Sequence, residues 1–301
     1  MQIPPGVYAP GMTQRLARRV SLLGLIVASS VAMLAGQTPL GKDAADLRAH
    51  MALQALDRYL ETWNSRDAAR WATSLNFPHS RPGPGAFDLF KTPAQYIASV
   101  DFAQTLATGW HHSEWTTRRV LQIGADKVHV AGSWLRYTED GRSMVGTSVT
   151  YIVTNQDGRW GVLSRFAAGP TGLDAAAAAA NGTAARGVVD AYFRAWNSHD
   201  PKALGAALHF PFVRIGDGAV EVWSSVAEFL AGPDPGRQRT WYETRLDQAE
   251  VVQASAAGVN VAVTYSRRDR QGQLFSKYEA VILLVYRNGA WRVQAVSTMG
   301  T

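Results

Sequence analysis

Between Ala44 and Trp63, the apolar residues Leu53, Leu56, Leu60 and Trp63 recur at spacings of three and four, which places them on one face and predicts a long helix. Asn64 and Ser65 break it, and Asp67 is placed to cap a short second helix running through Leu75. A Pro/Gly-rich stretch from Arg81 to Ala86 follows, then a short strand and a helix over Pro93 to Leu106. From Trp110 the period changes to two. Val128, Val130 and Trp134 alternate with His129, Ala131 and Ser133, and Val145, Thr147, Val149, Tyr151 and Val153 share one side of the next strand. Asp140-Gly141, Asp157-Gly158 and Asn288-Gly289 read as hairpin turns. The pattern therefore predicts helices first and a long antiparallel meander after them.

That pattern is written twice. Leu56, Asp57, Tyr59, Trp63, Asn64, Asp67, Phe77 and Pro78 return as Val189, Asp190, Tyr192, Trp196, Asn197, Asp200, Phe210 and Pro211 at one constant spacing. Trp110, Gln122, Val128, Trp134, Arg136 and Trp160 return as Trp241, Gln253, Val259, Tyr265, Arg267 and Trp291 at a spacing two residues shorter. The matches fall on aromatic, apolar and turn positions, as a shared core demands. Two copies of one unit of about 120 residues explain this better than a short-period solenoid. The expected organisation is a signal peptide and leader over 1–43, domain 1 over 44–168, a partly helical Ala-rich linker over 169–183 and domain 2 over 184–301.

The leader combines Arg15, Arg18 and Arg19 with an apolar run from Val20 to Ala35, too short for a comfortable membrane span, and reads as a secretory signal. Its cleavage would leave no stable span and a periplasmic or secreted protein; translation from Met51 would leave a cytoplasmic one. Losing the three arginines would also bring the formal net charge of +6 down to about +3. Neither repeat interleaves basic runs with aromatics, so no nucleic-acid partner is expected. The chain has no cysteine, which excludes disulfides, thiolate zinc sites and cysteine nucleophiles.

A Tyr and a Trp four apart on the first helix, Asn-Ser-x-Asp at its end, a second short helix and a sheet resemble the nuclear transport factor 2-like superfamily, especially its SnoaL-like members. The resemblance covers nearly the whole chain after the leader. It implies an α+β fold of two tandem cone-shaped domains, each with N-terminal helices packed on a curved antiparallel sheet around a pocket. Members of that superfamily include isomerases, dehydratases, polyketide cyclases and proteins without catalysis, so the resemblance leaves the activity open. The position that would carry the aspartate base of a ketosteroid isomerase falls at or beside Gly83 and Gly216, with a neighbouring carboxylate only at Asp217. The closer likeness is to proteins with a Phe-Pro-His-x-Arg segment, complete as Phe77, Pro78, His79 and Arg81; the second repeat keeps Phe210, Pro211 and Arg214 but has Phe212 for the histidine.

His79 and Arg81 flank Ser80, so on an extended segment they share a side and could supply a titratable base and a fixed cation. In the bland alternative, His79 is a surface residue and Arg81 and Arg214 pair with a structural carboxylate such as Asp57 or Asp190, which could themselves be buried acids. His111 and His112 belong to a polar-aromatic cluster after Trp110; one of the two is expected to face the barrel, and adjacency on a strand argues against a shared metal. Tyr59, Trp63, Trp110, Tyr192, Trp196 and Arg214 are the expected ligand-binding residues, although a Tyr/Trp stripe on a helix is more often core. No metal and no cofactor is expected. The expected function is an exported pocket protein for a small, partly apolar organic molecule, its two repeats paired as an intramolecular pseudo-dimer. A cofactor-independent isomerase, dehydratase or cyclase working by proton transfer, and a non-catalytic assembly module, are the alternatives.

Overall fold

A computed structural model describes residues 41–300 apart from 86, 217–218 and 233–240. Nearly all of the expected leader lies outside the described residues. Helix α1 (Lys42–Asn64) turns Ala52, Ala55, Leu56, Tyr59 and Leu60 into the core, the stripe its three-and-four spacing predicts. The Asp67 carboxylate accepts hydrogen bonds from the Ala69 and Arg70 amides and starts α2 (Ala68–Ala72). That helix ends sooner than expected, because Leu75 opens a strand, β1 (Leu75–Arg81). After β2 (Asp88–Phe90), the single helix expected over Pro93 to Leu106 is two, α3 (Pro93–Ser99) and α4 (Phe102–Ala107). Val100 is extended and Asp101 restarts the helix by accepting from the Gln104 amide. This break shapes the mouth of the site described below.

Four long strands complete the first repeat: β3 (His112–Ile123), β4 (Lys127–Tyr137), β5 (Ser143–Gln156) and β6 (Arg159–Pro170). They form an antiparallel meander, and β1 joins β6 in parallel, giving the order β2-β1-β6-β5-β4-β3. The sheet is thus mixed rather than wholly antiparallel. Asp157 and Gly158 both take positive φ, the geometry of a type I′ hairpin turn, as do Asn288 and Gly289 in the second repeat.

The second repeat runs α5 (Ala175–Asn197), α6 (Pro201–Ala206), β7 (Leu208–Ile215), β8 (Val220–Trp223), α7 (Val226–Ala231), β9 (Glu243–Ala254), β10 (Gly258–Arg268), β11 (Leu274–Arg287) and β12 (Ala290–Gly300). Its sheet has the same order, β8-β7-β12-β11-β10-β9. The alanines from Ala175 onward form the opening turns of α5, where Asp174 caps the Ala177 amide and alanine's high helix propensity does the rest.

The outer faces of the two sheets pack on each other. Ile152, Leu163 and Phe166 meet Val213, Ile215, Val281, Leu283, Val285 and Ala295 in a buried apolar cluster. Around it the polar contacts obey an approximate twofold relation. The Gln122 amide donates to the carbonyls of Val263 and Ala280, while its counterpart Gln253 donates to those of Gly132 and Val149, the equivalent positions. Arg119 pairs with Glu250, the residue that occupies its own position in the second repeat. Where the symmetry breaks, it breaks by complementary replacement. Lys127 reaches across to the Gly216 and Thr298 carbonyls, and its counterpart is Gly258, lying directly against the Ala168 carbonyl. Among the described residues no helix is long and apolar enough to cross a membrane.

Candidate functional site

Within the first repeat, α1, the α3–α4 break and the inner face of the sheet enclose a cavity of about 290 Å³. Tyr59, Leu60 and Trp63 come from α1, Trp71 from the end of α2, and Ser99, Val100, Asp101 and Gln104 from the break that forms its mouth. The strands contribute Ser113, Trp134 and three arginines: Arg81 on β1, Arg136 on β4 and Arg165 on β6. Aromatic walls and a cationic end therefore face one space.

The three arginines are not equally committed. Arg81 contacts Asp88 at 3.3 Å, across the β1–β2 pair. Arg136 lies over the rings of Trp63 and Trp134 at 5.6 and 5.5 Å, and Arg165 over Tyr59 at 5.8 Å. Neither has a carboxylate partner among the described residues, and the buried Nε of each has no hydrogen-bond partner in the protein. Burial, and then the charge of Arg165, pull the Arg136 pKa down, as expected of neighbouring cations withdrawn from water. The only acid in the lining, Asp101, already caps α4.

Behind the cavity wall, the hydroxyls of Tyr96 and Tyr151, near Arg81 and Trp134, and Nε2 of His79 are buried without a well-formed hydrogen bond in the protein. Burial raises the pKa of Tyr59, Tyr96 and Tyr151, so all three are neutral phenols at ordinary pH. Unpaired buried polar atoms cost stability, and their concentration around one cavity asks for a purpose.

Sequence reasoning placed Tyr59, Trp63 and Arg81 at this site, and they do line the cavity. Trp110 does not: it is buried, and its indole donates to the Ser113 hydroxyl at 3.0 Å. Asn64 braces the same strand by bonding both backbone groups of Ser113, and Asn197, Trp241 and Thr244 repeat the arrangement. Those recurring residues are architectural. His79 is fully buried, edge-on to Tyr96, and is not among the lining residues. Its Nδ1 lies 3.0 Å from the Val162 carbonyl, which can only accept, so Nδ1 carries the proton. Burial, and then Arg165, depress its pKa to about 3, too low for a base working near neutrality. His111 and His112 were expected to send one ring inward, and neither goes there. His111 is exposed, and His112 stacks on Tyr137 at the surface beside Glu114. Asp57 and Asp190 are exposed rather than buried, and Asp57 pairs with Arg118. No group of three or more metal-ligating side chains occurs among the described residues.

Arg136, Arg165, Tyr96 and Tyr151 were not singled out from the sequence. Their signal lies in what the second repeat has instead. The cross-strand pair Tyr151–Arg165 becomes Ile282–Val296, Tyr96 becomes Phe229, and His79 becomes Phe212. The second repeat has its own cavity of about 380 Å³, lined in part by Tyr192, Trp196, Arg214 and Arg267. Its arginines are differently held, and the buried Nε of Arg267, like that of Arg136, has no partner in the protein. Arg214 forms a two-pronged pair with Glu221 at 2.6 and 2.9 Å, and Arg267 packs against Trp241 and Tyr278 at 3.7 and 4.4 Å while donating to the Tyr278 hydroxyl.

Residues 49–170 match the family model described as NTF2-like protein (DUF6841). The chain carries an NTF2-like domain. Its second half repeats that NTF2-like architecture strand for strand. Similar solved structures include a ketosteroid isomerase-like protein from Erwinia carotovora atroseptica (21% identity, 39% of this chain and 94% of that one, TM-score 0.31). Others are an uncharacterised protein with a cystatin-like fold from Caulobacter vibrioides (17%, 40% and 90%, 0.33) and an NTF2-like protein from Novosphingobium aromaticivorans (14%, 40% and 81%, 0.34). No curated protein matches the chain.

The buried imidazoles give a measurable pH dependence. The folded-state pKa of His79 lies at about 3 against an ordinary 6.5, so below 6.5 the unfolded chain binds a proton that the folded chain refuses. His129, hydrogen-bonded to Gln122 and Ser297 in the sheet contact, is shifted the same way by burial, then by Lys127. Stability should therefore be full above pH 6.5 and decline as the pH falls toward 3, with His79 alone contributing a loss on the order of 3 kcal/mol at pH 4. Urea unfolding across that range should show the loss, and His79→Phe should reduce it to the part that His129 contributes; an equal decline in the variant would remove His79 as a cause.

Proposed function

We propose that the first-repeat cavity is a binding site for a small, partly apolar organic molecule, and that the second repeat is its fixed partner in an intramolecular pseudo-dimer. The observation that carries this is the contrast between the repeats. Among the described residues, three side chains lining the first cavity, Trp71, Arg136 and Arg165, keep a buried N–H without a protein partner, against one, Arg267, lining the second, where Val296 replaces Arg165. A structural module with no ligand has no reason to retain the costlier arrangement.

Proton-transfer chemistry finds less support. No histidine is among the lining residues and Asp101 is engaged as a helix cap. An assembly role is also less favoured, because the cavity is open rather than filled by its aromatic side chains, and the outer sheet faces already meet each other. Export through the leader rests on the sequence reading and would place this binding outside the cytoplasm.

A thermal-shift screen of small organic molecules tests the proposal with a blocking variant, Gln104→Trp, whose exposed mouth position tolerates a large side chain. Compounds that stabilise the unaltered chain should lose most of their shift in Gln104→Trp. Equal shifts in both proteins would place binding elsewhere and overturn the assignment.

A further inference from the structure

The proposed cavity also specifies the chemistry of its ligand. Two guanidinium groups, those of Arg136 and Arg165, face one space without a carboxylate partner among the described residues, and each keeps a buried Nε with no acceptor in the protein. The third arginine, Arg81, is held by Asp88, so it contributes little uncompensated charge. A neutral ligand would leave two partly desolvated cations without a carboxylate partner, which is a costly arrangement in a protein. One anionic group presented to both would relieve it, with N–H donors that already lie in fixed planes.

The rest of the cavity limits what carries that anion. Trp63, Trp71, Trp134 and Tyr59 form flat aromatic walls, and Leu60 and Val100 add aliphatic surface. Such walls favour a planar apolar body over a hydrated sugar or a bare inorganic ion. The cavity's size suits a molecule of one or two rings with its charged end at the arginines.

The second repeat serves as an internal control. Arg165 is replaced there by Val296, and the other two arginines are engaged by Glu221 and by Trp241 and Tyr278. Its cavity therefore offers one arginine without a carboxylate partner among the described residues, Arg267, where the first offers two.

We propose that the first-repeat cavity selects molecules with an aromatic body and a single terminal carboxylate, which Arg136 and Arg165 share. This rests on the cavity being a ligand site at all, and the experiment separates the two ideas. Naphthalene-2-carboxylate and its neutral analogue naphthalene-2-carboxamide are titrated into the full chain by calorimetry at low salt. The carboxylate should bind roughly thirtyfold more tightly than the amide. Arg136→Met and Arg165→Met should each reduce that preference by about tenfold, Arg165→Lys should recover part of it, and Gln104→Trp should abolish binding of both probes. If Arg165→Met does not fold, Arg136→Met and Arg165→Lys carry the same test. Equal binding of the two probes, lost in Gln104→Trp, would overturn the carboxylate assignment while keeping the cavity as a site. Binding of neither probe would overturn both. Displacement of the carboxylate by millimolar inorganic phosphate, or a preference unchanged in the arginine variants, would also overturn the assignment.

Discussion

Valine in place of Gly258 should lower stability by about 3 kcal/mol or more, seen as a melting temperature reduced by roughly 6–12 °C. Gly258 begins β10 at the contact between the sheets, and a Cβ there would fall closer to the Ala168 carbonyl oxygen than real contacts allow. The atom in the way is backbone on β6, so relief requires moving one sheet relative to the other rather than turning a side chain. Gly187 provides the comparison. It lies in the exposed middle of α5 with nothing within 4 Å of an added Cβ, and Gly187→Ala should stabilise by about 1 kcal/mol through helix propensity alone. Differential scanning calorimetry on the two variants decides the matter: an unaltered melting temperature for Gly258→Val would mean that the repeats do not rely on this sheet-to-sheet contact.

The symmetry of that contact explains why so much of the fold could be read in advance. Side chains that build the domain must recur, so Trp63, Asn64, Asp67 and Gln122 all have visible counterparts, and each has a structural task in both repeats. Helix spacing and Asp-Gly turns act locally and are legible for the same reason. The errors arose where chemistry was assigned by residue type alone. His111 and His112 are conspicuous in a sequence, but their strand begins at the surface and leaves both rings there. Trp110 repeats because it holds Ser113 in place, not because it meets a ligand. The alanine run was ambiguous until Asp174 was seen to cap it.

The site itself is visible in the opposite way, through positions that fail to repeat. Tyr96, Tyr151 and Arg165 look unremarkable within their own strands and helix, since period-two alternation does not say which face encloses a cavity. Only when Phe229, Ile282 and Val296 are set beside them does a coherent group of polar-to-apolar differences emerge. Those differences converge in space because the sheet brings Tyr151 and Arg165 into cross-strand register and α3 delivers Tyr96 beside His79.

Converting that group to the composition of the second repeat, with His79→Phe, Tyr96→Phe, Tyr151→Ile and Arg165→Val together, should make the protein more stable and abolish ligand binding. Each substitution removes a buried polar atom that has no well-formed hydrogen bond in the protein, and each such atom costs about 1–3 kcal/mol. The gains are not additive, because the four residues touch one another and Arg165→Val also gives up its packing over Tyr59. A net stabilisation of about 2–4 kcal/mol at pH 7 is expected. The gain should be larger near pH 4, where the unaltered chain also bears the cost of keeping His79 neutral. Urea unfolding at the two pH values, alongside calorimetric titration with naphthalene-2-carboxylate, measures both halves of the expectation. Stabilisation with loss of binding would identify the polar group as a functional feature maintained against stability. Destabilisation would show instead that these side chains hold the first repeat together through contacts the second repeat does not need, and the contrast between the cavities would no longer argue for a ligand.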